Sequence, residues 1–122
     1  MRAIRSKDTG PERAVRELSR GLMFRRNVRG LPGTPDLANK SARVAVFVHG
    51  CFWHGHGCRG GLPKANRAFW RRKFAMNRER DARAARALRA DGWKVVTVWE
   101  CDVHRRPLRV QAAIRSAFEG RR

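Results

Sequence analysis

The chain has 122 residues, with 29 Lys and Arg against 10 Asp and Glu, a formal charge of +19. That length suits a single domain, residues 1–122, around one modest core. Charge so far from zero opposes compaction unless a polyanionic partner relieves the repulsion. No run of about eighteen apolar residues exists to span a bilayer, no signal-peptide pattern opens the chain, and no strongly amphipathic basic anchor suits a membrane surface. Three cysteines cannot all pair within one chain, and their neighbours are histidines. This argues for a reducing cytoplasm and a metal rather than a disulfide framework. Most of the basic side chains are arginine, which favours bidentate phosphate and guanine contacts. The plainer explanation of the charge is a GC-rich genome placing Arg on solvated surface; charge and its distribution together point to nucleic acid.

Thr9-Gly10-Pro11-Glu12 reads as a helix start, with Pro11 early and Glu12 near the positive end of the dipole. Val15, Leu18 and Leu22 give that helix one apolar face. On spacing alone Glu12 is an ordinary first-turn surface acid. Gly30-Leu31-Pro32-Gly33-Thr34-Pro35 is a loop. A short strand follows at Asp36-Leu37-Ala38, then a turn over Asn39 to Ala42, then a strand from Arg43 to His49. The near-continuous apolar run of that strand predicts a central position, covered on both faces. The resulting hairpin can bring Asp36 beside the end of the second strand. A Pro-Asp pair before a central strand is one way nucleases present a magnesium carboxylate, although a turn Asp is the commoner use of the residue.

The stretch RVAVFVHGCFWHGHGC, from Arg43 to Cys58, holds three of the four histidines and two of the three cysteines. Cys51, His56 and Cys58, joined by Cys101 from a distant strand end, have the composition of a closed tetrahedral zinc site. Such a site would staple a small domain. The Cys-x4-His-x-Cys spacing uses His56 and leaves His54 for other work, with His49 at the strand end. A histidine beside a metal-binding aspartate suits acid–base chemistry near neutral pH. Phe52 and Trp53 either point outward, for insertion between bases, or cap a small core beneath the zinc.

Ala65 to Phe74 reads as helix, with Phe69, Trp70 and Phe74 interleaved with Arg71, Arg72 and Lys73. That pattern fits a core face with a solvated rim or a stacking surface on DNA. Asn77 to Asp91 is a second helix or a continuation, with an apolar stripe at Ala84, Ala85 and Leu88 and a stop at Gly92. Asp81 in so basic a helix is, at its plainest, an i, i+4 partner for arginine. Trp93 to Glu100 is the clearest strand, closed by Cys101. Pro107 to Phe118 is a C-terminal helix with Val110, Ile114 and Phe118 on one stripe. The order helix, two strands, long helix, strand, helix predicts a mixed α/β domain.

The combination of RSKDTGPE, LPGTPDL, HGCFWHGHGC, and FW…NRERD…GWKVVTVWEC, in that order from about Met1 to Cys101, resembles the very short patch repair (Vsr) mismatch endonucleases. The resemblance implies a restriction-endonuclease-like core, a mixed sheet flanked by helices, with a structural zinc site. It implies recognition of the T·G mismatch left when 5-methylcytosine deaminates, and a magnesium-dependent nick 5′ to the mismatched T. It further implies a monomer on double-stranded DNA, a functional link to a cytosine-5 methyltransferase, cooperation with mismatch-repair proteins and a place at the bacterial nucleoid. Asp36 matches the metal-binding aspartate, and Val48 the position that gives magnesium a backbone carbonyl. His54 matches the water-activating histidine, His49 a second histidine at the phosphate, Glu12 the acid supporting the metal shell, and Asp81 the acid orienting the histidines. Cys51, His56, Cys58 and Cys101 match the zinc ligands; Phe52, Trp53 and Trp70 match the aromatics that wedge into the stack.

Three departures stand out. Val48 replaces a familiar threonine, Gly55 and Gly57 stand where histidines can occur, and the chain starts close to the RSKDT-like stretch, which points to an N-terminal truncation or a misassigned start. Two other readings fit the same residues: a restriction or defence nuclease without mismatch preference, and a non-catalytic zinc-bearing DNA-binding module. Retention of Asp36, His49 and His54 together argues against the second.

Overall fold

The structure, a computed structural model, describes residues 10–26, 28–50 and 65–119. The described elements are α1 (Gly10–Leu18), β1 (Arg25–Arg26), β2 (Leu37–Asn39), β3 (Val44–His49), α2 (Arg67–Ala90), β4 (Lys94–Trp99), α3 (Glu100–Arg105) and α4 (Pro107–Glu119). The four described strands form one sheet in the order β1-β2-β3-β4. β2 runs antiparallel to both β1 and β3, pairing Leu37 with Val46. β3 and β4 are parallel, with His49 opposite Trp99. A parallel pair cannot be joined by a tight turn, and α2 lies within the connection.

β3 sits inside the sheet, and Val44 to Phe47 are all buried, as its unbroken apolar run predicts. Its two faces feed two cores. Val44 and Val46 join Leu37, Val98, Val15 of α1, Val103 of α3, and Val110 and Ile114 of α4. Ala45 and Phe47 join Ala38, Trp93 and Leu88 of α2. Alternation of side chains across the pleat makes this division. Each fully buried aliphatic side chain contributes about 1.5–3 kcal/mol of transfer free energy. The result is a mixed α/β sandwich with α1, α3 and α4 on one side of the sheet and α2 on the other.

Of the two options for Asn77 to Asp91, the continuation is found, one 24-residue helix; no glycine or proline interrupts it, so nothing breaks the hydrogen-bond ladder. Several boundaries differ from the sequence expectation. Glu100 opens α3 instead of ending β4, and Cys101 therefore lies in a helix rather than closing a strand. Glu100 and Asp102 are both acids in the first turn of α3, where they complement the dipole. The Arg25–Arg26 strand carries no apolar signal; both residues are exposed, and the strand exists by pairing with Leu37 and Ala38.

Candidate active site

The antiparallel β2–β3 pair and the parallel β3–β4 pair bring three chain positions to one edge of the sheet. The residue before β2, the end of β3 and the end of β4 all lie there. Asp36 is the first of these. Its Oδ2 accepts a 2.6 Å hydrogen bond from the backbone N–H of Val48, so the carboxylate is tied to the end of the central strand. The Asn39 side chain closes the intervening hairpin: Oδ1 accepts from Ala42 N–H at 2.9 Å, and Nδ2 donates to the Leu22 carbonyl at 2.9 Å.

α1 delivers Glu12 to the same place. Spacing alone offered a surface acid, and the resemblance an acid at the metal shell; Glu12 is buried, only 8% exposed. Its side chain hydrogen-bonds Asp36. Asp36 is pushed up to about 7 from its ordinary 3.8, first by burial, then by the charge and hydrogen bond of Glu12 and the charge of Asp81; the Val48 N–H acts in the opposite sense. Burial and like charge both disfavour the ionised form.

His49, the last residue of β3, faces α2. Its Nε2 lies 3.7 Å from Asp81 Oδ2, with the two side chains 13% and 22% exposed. Asp81 Oδ1 also lies 3.5 Å from the neighbouring Arg80, and the positions four residues away hold Asn77 and Ala85 rather than arginine. The His49 ring packs edge-on to Trp99 at 5.1 Å, and Phe47 lies 6.2 Å behind it. Trp99 escaped the sequence reading as a site residue. Only the parallel register of β3 and β4 reveals it, because that register sets Trp99 opposite His49.

Near the start of α2, Phe74 is buried, Trp70 is half-buried and Phe69 is 52% exposed. Their rings form a chain from core to surface, with centroids 5.7 Å apart from Phe74 to Trp70 and 5.2 Å from Trp70 to Phe69. The helix thus supplies both a core contact and an exposed aromatic, separated along its length. Cys101 is half-buried in α3. Cys51, Phe52, Trp53, His54, His56 and Cys58 lie outside the described residues, so three of the four zinc-ligand positions do too. Among the described residues, no three His, Cys, Asp or Glu side chains converge on a metal position, and no helix is long and apolar enough to cross a membrane.

The donor set nevertheless suits a hard divalent cation. Buried Glu12 and half-buried Asp36 offer carboxylate oxygens that share a hydrogen bond, with Asp81 near enough to add its charge. Such cations take oxygen ligands, and magnesium characteristically uses one or two carboxylates. A cation there would offset the like charges that push Asp36 up.

A family model described as DNA mismatch endonuclease Vsr matches residues 1–60. The Type II nicking enzyme V.XorIIP of Xanthomonas oryzae pv. oryzae is 53% identical over 106 residues, covering 84% of this chain and 78% of the relative. The Type II nicking enzyme V.NmeAIP of Neisseria meningitidis is 42% identical over 106 residues, covering 84% and 76%. The DNA mismatch endonuclease Vsr of Escherichia coli is 38% identical over 122 residues, covering 98% and 78%.

Proposed function

This chain belongs to the DNA mismatch endonuclease Vsr family, and from that premise we propose that it nicks double-stranded DNA 5′ to the T of a T·G mismatch left by 5-methylcytosine deamination. The observation that carries the reading is the meeting of Glu12, Asp36, His49 and Asp81 at one sheet edge. An acid pair can hold a divalent cation and a histidine–carboxylate pair can move a proton, and together these suffice for hydrolysis of a phosphodiester. The names of the relatives add nicking and mismatch to that chemistry.

In this reading Asp36 and the backbone carbonyl of Val48 would hold Mg2+, with Glu12 supporting the shell, and a bound ion would supply charge stabilisation on the phosphate. His54 removes a proton from the attacking water. His49 faces the phosphate and assists the leaving oxygen, and Asp81 holds its imidazole from the α2 side. Cys51, His56, Cys58 and Cys101 would hold Zn2+, which would tie the segment that follows β3 in sequence to the start of α3. Phe52, Trp53 and Trp70 wedge into the stack, where unstacking is cheapest beside a mismatch. The mixed sheet with helices on both sides serves as a restriction-endonuclease-like core for one domain, acting as a monomer on chromosomal DNA in the cytoplasm. A cytosine-5 methyltransferase makes the base whose deamination creates the substrate, and mismatch-repair proteins are candidate collaborators. The charge of +19 drives non-specific phosphate binding and does not itself read sequence.

The test is a magnesium-dependent nicking assay on a T·G duplex with the wild type, Asp36→Ala and His54→Ala. The reading expects a nick beside T in the wild type, and duplex binding without nicking in both variants. Nicking that survives Asp36→Ala would remove Asp36 from the metal site.

A further inference from the structure

Gly33 occupies the third position of the turn Leu31-Pro32-Gly33-Thr34. Thr34 N–H donates to the Leu31 carbonyl at 3.0 Å, and Gly33 has φ +75°. Proline second and a left-handed residue third make this a type II turn, which favours glycine. A second constraint is independent of φ. A Cβ on Gly33 would lie 2.7 Å from the Ala84 Cβ and 3.1 and 3.3 Å from Cε1 and Cζ of Phe47. Ala84 and Phe47 are both buried. The methyl of Ala84 is fixed to the helix and has no rotamer by which to move away, so the loop and α2 meet at a distance that only glycine permits.

Each member of this contact is close in sequence to a proposed site residue. Gly33 precedes Asp36 by three residues. Ala84 follows Asp81 by three, about one helical turn. Phe47 adjoins Val48, whose N–H holds Asp36, and its ring lies 6.2 Å from that of His49. The elements carrying the acid of the metal site, the histidine and the acid facing that histidine therefore touch at one point. We propose that Gly33 and Ala84 are positioning residues whose close approach sets the distance of Asp81 from His49 and Asp36. The inference rests on the assignment of those three residues to the active site.

Gly33→Ala must lift the loop or displace α2, opening the 3.7 Å approach of Asp81 to His49. Misplacement of about an ångström can lower a rate about a hundredfold. Steady-state nicking of a T·G duplex by Gly33→Ala is expected to show kcat reduced at least about tenfold, with KM within about twofold of wild type. Ala84→Gly added to Gly33→Ala removes the 2.7 Å contact and leaves the φ strain and the milder 3.1 and 3.3 Å approaches to Phe47, so kcat recovers in part in the double variant while Tm stays lowered. Ala84→Val approaches from the helix side with no φ strain and reproduces the kcat loss, which provides a second route should Gly33→Ala not fold. Wild-type kcat in Gly33→Ala or in Ala84→Val, or no recovery in the double variant, would overturn the positioning role. Asp36→Asn run in parallel separates the two layers: if it nicks at the wild-type rate, the site assignment falls and this inference with it; if it is inactive while Gly33→Ala keeps full kcat, the positioning role alone falls.

Discussion

Replacing Asp36 by asparagine should stabilise the magnesium-free protein at neutral and higher pH while abolishing nicking. The folded carboxyl is pushed up to about 7 from 3.8. Between those values the native state binds the proton and the unfolded chain does not, so stability falls as pH rises. The favourable contribution is complete below about pH 4, is lost as pH passes through about 7, and changes little above that. At about 1.4 kcal/mol per pH unit, the roughly three-unit interval corresponds to on the order of 4 kcal/mol across the Asp36–Glu12 pair. That is a large share of the stability of a small domain. The assay is urea unfolding of wild type and Asp36→Asn from about pH 4 to about pH 8, without magnesium and without chelator so that the proposed zinc site is undisturbed. The difference between the two stability curves isolates the Asp36–Glu12 pair from the remaining carboxylates: wild type should lose ground steadily to the variant, ending several kcal/mol below it. Adding magnesium at the upper end should restore the wild type and leave the variant unchanged. Parallel curves over the whole range would refute the picture of a buried, crowded carboxylate at this sheet edge.

Three further outcomes follow from particular contacts. Asp81→Asn leaves His49 without the charge at 3.7 Å and should lower kcat by about tenfold to a hundredfold with duplex affinity unchanged, measured by single-turnover nicking beside a binding titration. Leu88→Ala empties the α2 side of the core at a residue only 1% exposed, and should destabilise by about 2–5 kcal/mol in urea while keeping the same nick position. Cys101→Ser should reduce bound zinc from one equivalent toward none and lower Tm, read by metal analysis and thermal unfolding; full zinc content in that variant would remove Cys101 from the ligand set.

What the sequence disclosed and what it withheld follow a physical division. The apolar run from Val44 to Phe47 was legible as a central strand because burial on both faces leaves no room for alternation. The hairpin brought Asp36 to the end of that strand, as the turn residues Asn39 to Ala42 required. The burial of Glu12 was not legible: helical spacing shows which face a residue occupies but not that another carboxylate waits opposite it. The pairing of His49 with Asp81 was implied by the resemblance but not by spacing, since it joins elements more than thirty positions apart and depends on where α2 lies across the sheet. Trp99 beside His49 depends on the register of a parallel pair. Arg25 and Arg26 form a strand that no propensity announces, since pairing with β2 makes it. The close approach at Gly33 was hidden for a different reason: the loop glycine is apparent, but its contact with Ala84 exists only after the helix has docked.

The most direct measurement of the central claim uses two duplexes identical except for one base pair, T·G in one and T·A in the other, end-labelled on each strand and incubated with enzyme and magnesium under single-turnover conditions. The account predicts one nick, in the T strand, 5′ to the mismatched T, with the matched duplex intact. Equal cutting of both duplexes would contradict the mismatch reading and leave a nuclease without that preference, and cutting in the G strand would contradict the assigned polarity.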